Sequence, residues 1–171
     1  MPFDQETKAN DYVILKLISS LTFNDDVYPA CLPDPSFAPD TTGQTCFVSG
    51  WGALSFEGPS PETLQWVAIP LITNEECYEE FAHYDTSGFG MMPESTICAE
   101  LPGTPGSICF GDSGGPLVCE GGDSRSSGNA VITGIPSWVV NCTAELLHVY
   151  ARVTTVLDWI KSNMVIISNS I

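Results

Sequence analysis

Six short runs of mostly apolar, often β-branched residues, none longer than eight, constrain this chain more than any other feature. They are Asp11–Leu17, Cys46–Gly52, Gln65–Ile72, Pro116–Cys119, Val131–Trp138 and His148–Val153. Runs of that length suit strands and are too short for buried helices. Clusters of Gly, Pro, Ser and Asp separate them and mark turns. Many short strands with turn signals predict an all-β barrel or sandwich. One helix is expected, at the end: Thr155-Val-Leu-Asp158 has the spacing of a capping box. Val156 and Ile160 give that helix an apolar face, with Trp159 beside it. The proline-rich stretch Ala30–Pro39 reads as an extended connector.

The 171 residues suit one domain, and a 43% apolar content is enough for a buried core. Five basic against twenty-one acidic side chains give a formal charge of -16. Phosphate binding needs clustered Lys and Arg, so the balance excludes nucleic acid and anionic membranes as partners. It describes a solvated surface, with a preference for cationic partners as the alternative. No stretch approaches the length of a membrane span.

Seven cysteines, none in a C-x-x-C pair, and two histidines far from any cysteine pair argue against zinc. Disulfides formed in an oxidising compartment explain them better. Asn141-Cys-Thr143 is a glycosylation sequon, in keeping with secretion. Met1-Pro-Phe-Asp-Gln-Glu lacks the basic start and apolar run of a signal peptide. A secreted composition without a secretion signal leads to the expectation that an N-terminal part carrying the signal is missing.

Ser113 stands among glycines in Cys109-Phe-Gly-Asp-Ser-Gly-Gly-Pro-Leu-Val-Cys119. Gly111–Gly115 satisfies G-x-S-x-G, the nucleophile elbow of an α/β-hydrolase, and Ser113, Asp123 and His148 have that fold's order. An elbow needs a helix directly after the serine. Gly114-Gly115-Pro116 followed by Leu-Val-Cys starts a strand instead, and the alternating strands and helices of that fold are absent.

The chain resembles the trypsin and chymotrypsin family of secreted serine endopeptidases over nearly all its length, from Pro2 to about Met164. The resemblance rests on five motifs in the family's order: Asn10–Leu17, Ser49-Gly-Trp-Gly52, Cys109–Leu117, Ser137-Trp138 and Val-Leu-Asp-Trp-Ile160. It implies two antiparallel β-barrels in the parent protein, chymotrypsin-like, with the active site between them. Here residues 1–39 would be the end of the first barrel and the connector, 40–154 the complete second barrel, 155–164 the C-terminal helix and 165–171 a tail.

The same resemblance assigns roles. Ser113 is the nucleophile and Asp11 the carboxylate that orients the catalytic imidazole. The N–H groups of Gly111 and Ser113 form the oxyanion hole. Ser107 lies at the floor of the specificity pocket, and Val139 and His148 narrow it in the manner of elastase, favouring a small or medium apolar side chain. Ser137, Trp138 and Val139 pair with the substrate backbone, and Phe110 sits at the rim. Bridges Cys46–Cys119, Cys77–Cys98 and Cys109–Cys142 follow, the first two tying strands of one barrel, each worth ~3 kcal/mol on loop-closure grounds. Cys31 is left odd and would tie the chain to an upstream propeptide or light chain. No cofactor or metal is implied, and the partner is a peptide or protein substrate.

One family feature is absent. The histidine belongs several dozen residues before the aspartate, and only ten residues precede Asp11. His83, between Cys77 and Cys98, is expected at the surface, and neither it nor His148 matches the family's histidine motif. The family's free amino terminus, which pairs with Asp112, is missing too. Asp112 is therefore expected to be buried and unpaired, a cost of ~3–5 kcal/mol, with its loop rearranged or zymogen-like. Two readings follow: a fragment of an active endopeptidase, inactive alone, or a catalytically dead homologue that binds or regulates. The intact Asp11 and Asp112-Ser-Gly-Gly115 favour the first.

Overall fold

The computed structural model describes residues 3–42, 44–83, 92–100, 108–121, 130–139, 142 and 147–168. Six strands close into an antiparallel barrel: β1 (Thr45–Gly50), β2 (Gln65–Ile72), β3 (Thr96–Ala99), β4 (Leu117–Glu120), β5 (Ala130–Val139) and β6 (His148–Arg152). Their order around the barrel is β1-β2-β3-β6-β5-β4, with β4 pairing back to β1. Closure leaves the sheet no free edge along its ladders. This is the chymotrypsin-like barrel that the sequence leads one to expect.

Alternation along each strand selects the interior. Cys46 and Val48, Ile69 and Leu71, Ile97 and Ala99, Leu117 and Cys119, and Tyr150 all point into one buried cluster. At Gly134 a side chain would press within 3.0 Å of both Leu117 and Tyr150, so three strands approach closely only because this residue has no Cβ.

Two expectations about helices are corrected. Helix α1 (Asn74–Ala82) has no counterpart in the pattern of apolar runs, yet it carries a complete capping box. The Thr73 hydroxyl accepts from the Glu76 N–H, and the Glu76 carboxylate accepts from the Thr73 N–H. The box expected at Thr155 and Asp158 does not form. Thr155 instead donates to the Arg152 carbonyl at 2.9 Å within a 3-10 turn over Thr154–Val156. Helix α2 (Leu157–Ser168) follows that turn and takes in the first four residues of the expected tail, because Met164-Val-Ile-Ile contains no Gly or Pro to stop it. Val156 and Leu157 are buried beneath it.

The strand expected at Asp11–Leu17 is also absent. Among the described residues no strand pairs with it, and Val13, Leu15 and Leu17 are 74%, 79% and 58% exposed. Strand geometry persists where a neighbouring strand satisfies the backbone groups, and no strand of the barrel forms a ladder with this segment. The segment is held at one end by Tyr12, whose ring packs 4.9 Å from Trp159 of α2.

All three expected disulfides are closed: Cys46–Cys119, Cys77–Cys98 and Cys109–Cys142. The second joins helix α1 to β3, not two strands of the barrel, because Cys77 lies on α1's buried face. There Cys77, Cys98, Met92, Leu147 and Val149 form a second core layer, with Phe81 edge-on to Trp138 at 5.4 Å. Cys31 is free and exposed, while its backbone joins the barrel through a parallel bridge to Val131. Alkylation without reduction should therefore add one label to the intact mass, and reduction should raise this to seven.

One buried ion pair fastens the connector to the barrel. Arg152 donates to both Asp40 oxygens, at 2.9 and 2.6 Å, and its Nε donates to the Glu94 and Thr96 carbonyls. Burial pushes the Asp40 carboxyl up, but the hydrogen bonds and charge of Arg152 outweigh it, and the pKa ends below the ordinary value. A depressed folded-state pKa gives stability that is present above the unfolded-state pKa and lost as pH falls through the folded value. Asp40→Ala should cost ~3 kcal/mol in urea melts at neutral pH, since it strands a buried guanidinium. Melting temperature should fall less steeply in Asp40→Asn than in the native chain as pH drops from about 5 to 2.

Candidate active site

Ser113 lies exposed in the loop that leads into β4. The loop is closed by hydrogen bonds from Asp112 N–H to the Cys109 carbonyl (3.1 Å) and from Gly115 N–H to the Asp112 carbonyl (3.0 Å). Gly111 and Gly114 have φ of 102° and 82°, a region open to glycine and costly for other residues. Gly114 N–H donates to the Pro136 carbonyl at 3.1 Å and ties the loop to β5. The Phe110 carbonyl accepts from Ala53 N–H at 2.8 Å. A trans peptide sets its N–H opposite its carbonyl, so the Gly111 N–H faces away from Ala53.

Asp112 anchors this loop. Its carboxylate accepts from Gly52 N–H at 2.8 Å and from Cys109 N–H at 3.0 Å. It is half-buried and has two backbone donors, which corrects the expectation of a buried, unpaired carboxylate. Backbone amides supply the charge-assisted bonds here that a cationic partner would otherwise supply. The arrangement requires Gly50 and Gly52, because a Cβ at either would collide with the carboxylate. Negative charge from Asp112 adds to burial in pushing the Tyr150 phenol far up; its hydroxyl has no hydrogen-bond partner among the described residues. Beside Asp112 opens a cavity of about 380 Å³ whose walls include Val48, Leu54, Trp66 and Ile108.

A second cavity, of about 220 Å³, has Ser113 in its wall. Ile108–Phe110 and Asp112 form one side, Pro136–Val139 the other, and Phe56 and Cys142 complete it. Ser137 connects it to the N-terminal segment: its hydroxyl donates to Asp11 Oδ2 at 2.5 Å, across 126 residues of sequence. Asp11, half-buried, is thus joined to a residue of the cavity wall although the strand expected around it does not form.

Of the residues singled out in the sequence, Asp112, Ser113, Ser137, Trp138, Val139 and Phe110 meet at this cavity. His148 does not line it. It is fully buried in β6, where Ala99 and Val139 are its register partners. His83 caps the C-terminus of α1 and is exposed. Ser107, Asp123 and Asn141 lie outside the described residues. Sequence reasoning missed Phe56, which no motif marks, and Ile108 and Pro136, whose only signal is adjacency to Cys109 and Ser137. Among the described residues no group of His, Cys, Asp and Glu could hold a metal ion.

The sequence model of the trypsin family matches residues 2–160. The chain belongs to the trypsin family. It is 37% identical to Trypsin-1 of Astacus astacus over 164 residues, covering 95% of this chain and 63% of the relative. It is 37% identical to Transmembrane protease serine 11G of Mus musculus, over 90% of this chain and 34% of that protein. With Serine protease filzig of Drosophila melanogaster it shares 35% identity over 94% of its own length and 9% of the relative's. This trypsin-family chain thus spans less than two thirds of each of these relatives. The family is one of serine proteases, which act on peptide or protein substrates. No described helix is long and apolar enough to cross a membrane.

In a trypsin-family loop built this way, glycine at 52 is a condition for the Asp112 anchor. Gly52→Ala should expel the carboxylate and cost ~2–3 kcal/mol in urea unfolding, the worth of a hydrogen bond to a charged group.

Proposed function

We propose that this chain is the Ser113-bearing part of a secreted serine endopeptidase whose catalytic imidazole is contributed from outside the 171 residues. The observation that carries the reading is that Ser113 and the Ser137 hydroxyl holding Asp11 share one mostly apolar cavity. Residues 1–39 are the end of a first barrel and the connector, and 40–154 the second barrel, with the substrate cleft between the two barrels.

In the proposed reaction Ser113 Oγ attacks the scissile carbonyl and its proton passes to the imidazole, which Asp11 orients. The imidazole returns that proton to the leaving amine, and water then releases the acyl group from Ser113. Negative charge on the carbonyl oxygen is taken by the N–H groups of Gly111 and Ser113, each worth perhaps ~3 kcal/mol. The Phe110–Ala53 hydrogen bond supports this, since it fixes the orientation of the Gly111 amide. Ser137–Val139 presents a backbone for an extended substrate to pair with. Val139 narrows the pocket, and with Ser107 it favours a small or medium apolar side chain before the scissile bond.

In this reading Asp112, which lines the 380 Å³ cavity, receives a free amino terminus generated on activation. That cation would compete with the Gly52 and Cys109 amides that hold the carboxylate now. The exposed Cys31 thiol is available to an upstream propeptide or light chain. Secretion follows from the disulfides, with a signal peptide in the upstream part.

A second reading is a catalytically dead homologue acting as a binding or regulatory module. It is favoured by one observation: neither His83 nor His148 lines the Ser113 cavity.

Sequencing the transcript upstream of the Met1 codon separates the two. The expected result is an open frame encoding an Ala-Ala-His-Cys-like segment. The extended and activated protein should then hydrolyse peptides, and Ser113→Ala should lower kcat by roughly 10⁶-fold. The chain alone should retain only about 10³–10⁴-fold over water. A stop codon, or another residue in place of that histidine, would establish the second reading and remove the catalytic role of Ser113.

A further inference from the structure

Phe56 comes from a loop more than fifty residues before Ser113, yet its side chain closes part of the Ser113 cavity. Its loop is built to hold it there. Leu54 N–H donates to the Pro59 carbonyl at 3.2 Å and Gly58 N–H to the Ser55 carbonyl at 2.9 Å. Glu57 sits at φ 55°, the left-handed region that a non-glycine residue occupies at a cost, so the turn around Phe56 is set by its surroundings. Ala53 N–H on the Phe110 carbonyl carries this loop alongside the one that bears Ser113. The Phe56 ring lies 5.9 Å from that of Phe110, tilted by 56°.

Both rings remain open to solvent, Phe56 at 55% and Phe110 at 64%. Two large aromatic rings exposed side by side at the mouth of an apolar cavity offer surface that a bound group can remove from water. The remaining wall, from Ile108, Pro136, Trp138 and Val139, is apolar, and it holds no basic side chain among the described residues. Asp112 is the one charged group there, and its two oxygens are directed to the Gly52 and Cys109 amides.

We propose that Phe56 is a specificity-determining residue: with Phe110 it forms an aromatic wall of the cavity and selects an apolar side chain in the peptide bound at Ser113. The proposal rests on the endopeptidase reading of the Ser113 cavity and adds a residue from a separate loop to it. An apolar side chain gains contact with the two rings, whereas alanine is too short to reach them and a charged side chain loses hydration without a partner.

The test is binding, so it does not depend on catalysis. The 171-residue chain, labelled at Val and Ile methyl groups, is titrated with acetylated tetrapeptides that differ only in a C-terminal Ala, Leu, Phe, Lys or Asp, and the Val139 and Ile108 methyl shifts are followed. The Leu peptide should bind about fivefold more tightly than Ala, Phe less tightly than Leu because Val139 narrows the pocket, and Lys and Asp no better than Ala. Phe56→Ala should bring the Leu-to-Ala ratio to below about twofold with Ala binding unchanged, and Phe56→Leu should restore most of it. An unchanged ratio in Phe56→Ala, with a native spectrum, overturns the role of Phe56 and leaves the cavity as a substrate site. No shift at Val139 or Ile108 with any peptide overturns the substrate-site reading, and the proposal with it.

Discussion

The carboxylate of Asp112 is the interaction on which the candidate site depends. Two backbone amides, from Gly52 two residues after β1 and from Cys109 before the Ser113 turn, converge on it. A carboxylate receiving two N–H donors is a strong clamp, because each bond is charge-assisted and the site is half out of water. Without it the Cys109–Gly115 loop would be joined to the barrel by little more than the Cys109–Cys142 bridge and the bonds to Ala53 and Pro136. The clamp has a steric condition as well. The carboxylate occupies the space where Cβ atoms of residues 50 and 52 would be, so Ser49-Gly-Trp-Gly52 and Asp112 form one unit despite lying 60 residues apart.

The barrel and the N-terminal segment stand in different physical positions. Every strand of the barrel has neighbours on both sides, an interior filled by alternate residues, and a disulfide linking β1 to β4 through its core. The stretch from Tyr12 to Ile18 has the composition of such a strand but joins no ladder, so Val13, Leu15, Leu17 and Ile18 face water. It remains attached through Tyr12 on Trp159 and through Asp11 on Ser137. The second contact ties the Asp11 carboxylate to a residue of the Ser113 cavity wall while the segment around it joins no ladder.

Helix assignment shows where sequence signals and tertiary forces diverge. Thr73 and Glu76 carry the capping spacing and form the box. Thr155 and Asp158 carry the same spacing and do not, because the chain arrives from β6 already coiled in a 3-10 turn and the threonine hydroxyl is drawn to Arg152. The spacing is therefore a local possibility that the incoming backbone accepts or refuses. For α1 the apolar signal was weak, since Cys77 is its one fully buried residue, Tyr78 and Phe81 are only partly buried, and four glutamates take up much of the remainder.

What the sequence determined by itself is what local chemistry can determine. Short β-branched runs cut by Gly and Pro specify strands, and the Gly-Asp-Ser-Gly-Gly-Pro order excludes a helix after Ser113. The resemblance carried by those motifs also implied the three cysteine pairs that the barrel closes. Only the tertiary structure decided what depends on two distant segments sharing space. Asp112 found amide donors in place of a cation, His148 went into the β6 ladder with no place in the cavity wall, and Phe56 reached Ser113 from a loop without a motif. The reason is range: propensity and pattern act over a few residues, whereas each of these outcomes was settled by which backbone happened to arrive beside the side chain once the barrel closed.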